Sequence, residues 1–235
     1  MTLSTIYLIP SFLHEEATDT LSPAVLNAVK KCEVFFVEEA RTARRFLKSI
    51  WKEMVIDNYQ WEIANKDNVN DPALIQTFLQ TIRAGKTIGI ISEAGCPGVA
   101  DPGQALVQLA HREKARVVPL VGPSSILLAL MASGMSGQQF RFVGYLPIDR
   151  VQRAKAIREM EQEAQKKQCT QIFMETPYRN NQLLESLMET CQPQTALGIA
   201  ANITGPNEFI RTSTIAEWKK KLPDLHKQPV IFTIY

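Results

Sequence analysis

Thr87 to Gly134 read TIGIISEAGCPGVADPGQALVQLAHREKARVVPLVGPSSILLALMASG, and this stretch decides the fold. An apolar run from Thr87 to Ile91 ends in a loop rich in glycine and proline, Ser92 to Gly103, which a helix follows. A second apolar run, Val117 to Leu120, ends in Gly122-Pro123-Ser124-Ser125, which opens another helix. In open α/β sheets, ligands bind beyond the carboxyl ends of the strands. The sequence therefore predicts that these two loops line a ligand site.

The residues before this stretch alternate between predicted strands and helices, which favours a parallel sheet. A strand is predicted where an apolar run is short and bounded, and a helix where Ser22-Pro23 or Asp71-Pro72 supplies a start signal. The predicted strands are Thr5 to Ile9, Val34 to Val37 and Met54 to Ile56, and Trp61 to Asn70 is interpreted as a loop.

The residues after Gly134 predict a mixed sheet. Strands are expected at Phe140 to Tyr145, Gln171 to Met174, Ala196 to Ala201, Glu208 to Thr212 and Val230 to Ile234. Gly205-Pro206 lies in a short connection that suits an antiparallel hairpin. We therefore predict an α/β protein with two α/β domains, residues 1–118 and 119–235, around a shared cleft.

Composition excludes several classes of protein. Hydrophobic residues make up 45% of the chain and charged residues 21%, and the formal net charge is +2, which argues against a strongly basic nucleic-acid binder. The four cysteines are widely spaced and form no C-x-x-C pair, so we expect no metal site. No apolar stretch is long enough to span a membrane, and no signal peptide is evident, so we expect a cytoplasmic protein.

The two loops suggest chemistry but leave alternatives open. Backbone amides at the helix start in Gly122-Pro123-Ser124-Ser125 favour an anionic group, although these residues could simply let the chain turn. Glu93 could accept hydrogen bonds from an amine or could cap a helix, and for Asp101 capping is favoured. Neither the Walker nor the dinucleotide-binding glycine motif is present.

Several segments together resemble one family, with their order and spacing kept from about Val34 to Arg211. They read IISEAGCPGVADPG, VVPLVGPSS, MASGM, FRFVGYLP and IFMETPYR. The sequence resembles the ribosomal RNA small-subunit methyltransferase I group of the tetrapyrrole-methylase-like, class III methyltransferases. The resemblance implies a homodimer of the tetrapyrrole methylase fold, with S-adenosylmethionine in the cleft between two α/β domains. It also implies the small ribosomal subunit as partner and 2′-O-methylation of a cytidine ribose in 16S rRNA.

The resemblance also implies where the site residues lie. The catalytic candidates are Glu38, Arg41, Glu175 and Arg179. The candidate cofactor contacts are Pro10, Glu93, Gly95, Cys96, Ser124, Ser125, Ile126, Phe173, Met174, Ala201 and Asn202. A ribose hydroxyl needs a base or a nearby cation to lose its proton, but the residues do not assign the base. A structural ion pair is the alternative role for Glu38 and Arg41.

The chain departs from the family pattern at two motifs. Ile9-Pro10-Ser11-Phe12-Leu13 replaces Thr-Pro-Ile-Gly-Asn, and Ala201-Asn202-Ile203-Thr204-Gly205 replaces a charged Arg-Glu-Leu-Thr-Lys. Two alternatives therefore stay open: a methyltransferase for a tetrapyrrole-like or other small metabolite, and a cofactor-binding relative without catalysis. A run of cations is either an RNA-binding surface or an ordinary solvated helix face; its members are Arg150, Arg153, Lys155 and Arg158.

Overall fold

The computed structural model describes residues 4–235. Met1, Thr2 and Leu3, part of the N-terminal segment for which no signal peptide is expected, lie outside the described residues. The chain divides into two compact units, the first ending at Ser124 and the second running from Ser125 to Tyr235. No helix within residues 4–235 is long and apolar enough to cross a membrane.

Unit 1 is built on a parallel sheet of five strands in the order β3-β2-β4-β1-β5. The strands are β1 (Thr5–Ile9), β2 (Val34–Val37), β3 (Gln60–Ile63), β4 (Ile88–Ile91) and β5 (Arg116–Pro119). The helices are α1 (Pro23–Val29), α2 (Ala40–Ile50), α3 (Pro72–Arg83) and α4 (Gly103–Arg112). This confirms the predicted parallel sheet.

Both faces of the first sheet are covered, which explains why its central strands are apolar throughout. Phe36 of β2 packs against Phe78 of α3 on one face, with the ring centroids 4.9 Å apart. Phe35 points to the other face, where α1 and α2 supply the apolar side chains. Because all five strands are parallel, their carboxyl ends lie at one edge of the sheet. The helices pack on the two faces and leave this edge to the loops.

The third strand is a correction to the sequence analysis. Met54 to Ile56 does not form a strand; Ile56–Asn58 is a short 3-10 helix, and the strand is Gln60–Ile63, which overlaps the start of the segment interpreted as a loop, Trp61 to Asn70. Because this strand pairs only with β2, its outer edge needs no apolar partner. Trp61 holds it in place by stacking on Phe35, with the ring centroids 5.0 Å apart.

Unit 2 is built on a mixed sheet, as predicted, and its strand order is β6-β7-β10-β8-β9. Only β6 and β7 are parallel, and β8 and β9 form the expected antiparallel hairpin. The strands are β6 (Phe140–Tyr145), β7 (Thr170–Met174), β8 (Ala196–Ala201), β9 (Phe209–Thr214) and β10 (Val230–Ile234). The helices are α5 (Ser125–Ser133), α6 (Arg150–Lys167), α7 (Asn180–Thr190) and α8 (Ile215–Trp218).

The basic run on α6 is not one exposed surface. Arg153 is only 7% exposed, and its guanidinium donates from Nε to Ser186 Oγ (3.0 Å) and from Nη1 to the Ile148 carbonyl (2.8 Å). Arg150 pairs with Glu189 at 2.9 Å. Arg153 therefore belongs to the packed interior of unit 2, and an acidic residue in its place would bury an unpaired carboxylate.

Candidate functional site

The candidate site in unit 1 lies at the carboxyl edge of the parallel sheet. The central strand β4 lies between β2 and β1, so the residues after all three strands come together. Pro10 and Ser11 follow β1, Glu38 follows β2, and Ser92 and Glu93 follow β4. The predicted site residues Pro10, Glu38 and Glu93 therefore share one edge, as the sequence pattern requires.

Hydrogen bonds tie the loop after β4 to the residue after β1. Ser11 N donates to the Gly95 carbonyl (2.9 Å) and Gly95 N donates to the Ser11 carbonyl (3.2 Å). The buried Ser11 hydroxyl donates to the Ser92 carbonyl (3.1 Å). Gly95 has φ +77°, in the left-handed region that favours glycine. The loop is thereby fixed with Gly95 close to the chain at Ser11.

The loop after β5 approaches the chain after β1 even more closely. A Cβ added at Gly122 would lie 2.2 Å from Cβ and 2.3 Å from Cγ of Pro10. The Cys96 thiol lies 3.4 Å from the Pro123 carbonyl oxygen. Gly122 and Cys96 therefore join three segments that are far apart in sequence into one small-residue surface.

The carboxyl group of Glu38 makes a contact that the sequence analysis did not anticipate. Glu38 accepts a hydrogen bond from Glu93 N (3.1 Å), and its carboxyl group lies close enough to that of Asp101 to interact with it. Burial, followed by the interaction with Asp101, raises the pKa of Glu38 to about 7. Two ionised carboxylates would repel each other, so the pair is stable when one proton is shared.

Asp101 holds the loop together from inside. Its Oδ1 accepts hydrogen bonds from Gly98 N (2.9 Å) and Gly103 N (2.7 Å). Its Oδ2 is buried, and within residues 4–235 no N–H group or hydroxyl donates to it. A protonated Glu38 would supply a donor to the Asp101 side chain, which interacts with it. The N-cap of α4 is Pro102 rather than Asp101, so Asp101 holds the helix start from one residue further out and, through Glu38, also links the loop to β2.

The structural ion pair considered for Glu38 and Arg41 is not formed. Among the ion pairs of the described residues, none includes the Arg41 side chain, and Glu38 is engaged by Asp101 and Glu93 instead. Glu39 has a separate task at the start of α2, where its carboxylate accepts from Arg41 N (2.8 Å) and Thr42 N (2.6 Å). These hydrogen bonds are the first cause of the lowered pKa of Glu39.

The candidate site in unit 2 follows the carboxyl end of β7. Glu175 is buried and accepts hydrogen bonds from Arg179 Nη2 (2.7 Å) and Thr176 N (2.6 Å). Burial alone would raise the pKa of Glu175, but the hydrogen bonds from Arg179 and Thr176 N outweigh it, and the pKa is lowered. Glu175 is therefore ionised at neutral pH and fixes the guanidinium of Arg179.

The remaining cofactor candidates differ in what they can offer a ligand. Phe173 is fully buried and stacks on Phe232, with the ring centroids 5.6 Å apart, so its side chain is committed to the core. Ala201 is also fully buried, whereas Met174 is partly exposed. Asn202 has φ +51° and donates to Gln228 Oε1 (2.6 Å). Ser124 ends unit 1, and Ser125 and Ile126 begin α5.

Sequence reasoning missed Ser11 and the second task of Asp101. Ser11 occupies a position where the family pattern has another residue type, and no motif marks it. The only sequence signal at Asp101 is its place before Pro102-Gly103, which is typical of a helix start. Contacts between distant loops leave no periodic trace in a sequence.

Comparison with known proteins gives a family for both units. A family model described as Tetrapyrrole (Corrin/Porphyrin) Methylases matches residues 16–219. Among solved structures, the methyltransferase CobJ aligns with a TM-score of 0.64 at 16% identity, covering 100% of this chain and 94% of that one. The uroporphyrin-III-C-methyltransferase of Thermus thermophilus aligns with a TM-score of 0.56 at 17% identity, covering 98% and 91%. The fold is the one expected from the sequence.

Curated relatives share one name, Ribosomal RNA small subunit methyltransferase I. The relative from Halalkalibacterium halodurans is 27% identical over 163 residues, which are 69% of this chain and 53% of that protein. The relative from Mesorhizobium japonicum is 34% identical over 141 residues, 59% of this chain and 46% of that protein. The chain thus spans about half the length of these relatives.

Proposed function

We propose, because this chain belongs to the tetrapyrrole (corrin/porphyrin) methylase family, that it transfers a methyl group from S-adenosylmethionine. The proposed acceptor is the 2′-hydroxyl of a cytidine ribose in 16S rRNA, reached on the small ribosomal subunit in the cytoplasm. The observation that carries the proposal is the name shared by curated relatives, together with a family match that extends over both units.

The residues of unit 1 suit S-adenosylmethionine because small residues let the loops at the carboxyl edge of the sheet approach one another closely. Gly122 leaves just enough room for Pro10, and Gly95 adopts a conformation that a larger residue would strain. The exposed carboxylate of Glu93 is available to an ammonium group. We propose as cofactor contacts Pro10, Glu93, Gly95, Cys96 and Ser124 in unit 1, and Ser125, Ile126, Phe173, Met174, Ala201 and Asn202 in unit 2.

The protein would contribute positioning and charge. When bound, S-adenosylmethionine supplies a methyl group attached to a positively charged sulfur. We propose that Arg179, fixed by the ionised Glu175, provides the cation that favours deprotonation of the acceptor hydroxyl. Glu38 positions the loop after β4 through Asp101 and can exchange a proton near neutral pH. Arg41, free of an ion pair among the described residues, remains a candidate for contact with phosphate.

The proposed function is tested by methyl transfer. Small ribosomal subunits lacking the modification, incubated with the protein and radiolabelled S-adenosylmethionine, should acquire label at a ribose. Arg179→Ala should lower the rate at least about tenfold. Arg83→Ala is the matched control, because Arg83 is an exposed arginine paired with Glu113 at 2.9 Å in unit 1. Failure of the wild-type protein to label the subunits would overturn the ribosomal substrate.

A second candidate function is methylation of a small metabolite. The formal net charge of +2 favours it, because a ribosome-binding surface usually carries more positive charge. The same assay with a tetrapyrrole in place of the subunits separates the two candidates. Label in the tetrapyrrole and none in the RNA would select the metabolite.

Cofactor binding gives a first testable prediction. Calorimetry should detect S-adenosylmethionine or S-adenosylhomocysteine binding, and Gly95→Val should abolish it while the protein stays folded. The reason is that a Cβ at Gly95 already contacts Leu13 Cδ2 and the Pro123 carbonyl oxygen (both 3.4 Å), so the two further methyl groups of valine would extend into the space proposed for the cofactor. Gly134→Val is the control for backbone strain, because Gly134 has φ +71° with no atom within 4 Å of its Cβ position. Equal loss in both variants would contradict the assigned contact.

The oligomeric state gives a second prediction. We expect a homodimer, because α5 is apolar around its circumference while Met131 is 76% and Leu127 49% exposed. Light scattering at micromolar concentration should give about twice the mass of one chain. Met131→Lys should shift the protein toward the monomer, and a monomeric wild-type protein would contradict the prediction.

A further inference from the structure

An exposed aromatic ring flanked by two basic side chains lies beyond β7. The Tyr178 side chain is 69% exposed. Lys227 Nζ lies 6.0 Å from the centroid of its ring, and the His226 ring lies 6.0 Å away at an interplanar angle of 75°. We refer to Tyr178, His226 and Lys227 as the Tyr178 platform. An exposed aromatic face beside a cation is the kind of surface on which nucleobases stack.

The platform is held rigidly by the start of α7. Lys227 N donates to the Pro177 carbonyl (3.0 Å), and Asn180, which is fully buried, donates from Nδ2 to the Gln228 carbonyl (2.7 Å). Leu225 N donates to Asn181 Oδ1 (2.8 Å). These hydrogen bonds fix the loop from 224 to 228 against the loop that carries Tyr178.

The backbone at Lys227 is strained. Its φ is +61°, which is uncommon for a residue other than glycine and costs free energy. The hydrogen bonds described above maintain this conformation and keep the lysine over the Tyr178 ring. Strained residues of this kind are concentrated at ligand-binding sites.

The platform is also next to the candidate catalytic pair. Tyr178 is followed directly by Arg179, whose guanidinium is fixed by Glu175 at 2.7 Å. A base stacked on Tyr178 would bring its own ribose, or that of the neighbouring nucleotide, toward Arg179. The position of the platform therefore fits a nucleic-acid strand presented for reaction at a ribose.

We propose that the Tyr178 platform stacks an unpaired nucleobase of single-stranded RNA while Lys227 contacts an adjacent phosphate. This inference rests on the proposed function and adds a binding surface to it. Single-stranded RNA fits better than duplex RNA, because only unstacked bases expose a face to an aromatic ring. It fits better than a protein partner, because the exposed ring is bordered by two basic groups rather than by apolar side chains.

Fluorescence anisotropy with a labelled oligocytidine of about ten nucleotides tests the proposal. Tyr178→Ala should weaken binding by the wild-type protein about tenfold, and Tyr178→Phe should retain it. Lys227→Ala should weaken binding and reduce the slope of log affinity against log salt by about one. Phe140→Ala is the matched control, because Phe140 is a 42% exposed aromatic residue at the opposite, amino edge of the same sheet.

Three outcomes would overturn the platform. They are no oligocytidine binding by the wild-type protein, unchanged binding by Tyr178→Ala, and a Tyr178→Ala variant that loses S-adenosylmethionine binding in calorimetry but keeps RNA binding. The last outcome would assign the ring to the cofactor. The methyl-transfer assay separates this failure from that of the proposed function, because wild-type labelling of subunits with normal RNA binding by Tyr178→Ala would overturn the platform alone.

Discussion

Replacing Gly122 with alanine is expected to abolish S-adenosylmethionine binding and to destabilise unit 1. The new Cβ would lie 2.2 Å and 2.3 Å from two ring carbons of Pro10, closer than nonbonded carbons can approach. The proline ring is fixed to the backbone and cannot rotate away, so the loops after β1 and β5 must separate. Overpacking of this kind costs about 1–3 kcal/mol or more. Denaturant unfolding and calorimetry measure the two effects.

Two further variants make the test specific to the contact between Gly122 and Pro10. Gly137→Ala is the control, because no atom lies within 4 Å of the Cβ position at Gly137. Pro10→Gly combined with Gly122→Ala removes the two ring carbons and should recover part of the lost stability, giving a favourable coupling. If Gly122→Ala binds the cofactor and unfolds like the wild-type protein, the close approach of these loops is not present in solution.

The sequence predicted most of the fold because local patterns carry it. Apolar runs of four to six residues gave β1, β2, β4 and β6 nearly to the residue. The sequence does not predict β3, because Met54 to Ile56 has the more apolar pattern, whereas Gln60–Ile63 alternates polar and apolar residues. An edge strand with one neighbour needs only that alternation, and polar residues are common in it.

Side-chain roles were harder to predict, because they depend on contacts between distant residues. Arg153 lies in a helix rich in charge, and nothing in its neighbours shows that Ser186 and the Ile148 carbonyl bury its guanidinium. Glu38 and Arg41 are spaced for a helical ion pair, but α2 begins only at Ala40, so Glu38 is outside the helix. Glu175 and Arg179, for which the sequence predicted no ion pair, do form one, although Glu175 also precedes its helix.

The contact between Glu38 and Asp101 leads to a prediction about pH. In the folded protein the pKa of Glu38 is raised from its ordinary value of 4.5 to about 7, first by burial and then by Asp101, with Glu93 as a further nearby carboxylate. Between these two values the folded protein holds a proton that the unfolded chain has released. The stability that this proton contributes is therefore full below pH 4.5 and is lost as the pH rises through 7.

Glu38→Gln and Asp101→Asn should each remove this loss of stability. Either amide can donate a hydrogen bond to the opposite carboxylate at any pH, so no shared proton is needed. Because Glu38 is only half-buried and solvent screens it, we expect each variant to gain about 1–2 kcal/mol over the wild-type protein at pH 8 and little at pH 5. Urea unfolding between pH 5 and pH 8 measures the free energy of unfolding of each protein. Subtracting the wild-type value from that of each variant removes the contribution of the other groups, which titrate in all three proteins.

The control for this series is Glu53→Gln, which removes one exposed carboxylate from unit 1 away from the loop after β4. It should follow the wild-type protein at every pH, because exposed charges contribute little to stability. Parallel curves for Glu38→Gln and the wild-type protein would show that no proton is shared. If instead the Asp101→Asn variant alone were destabilised at every pH, the hydrogen bonds from Gly98 N and Gly103 N would be the whole role of Asp101. A gain that grows with pH in both variants is the result that a shared proton requires, because each variant supplies the missing donor from a different side of the pair.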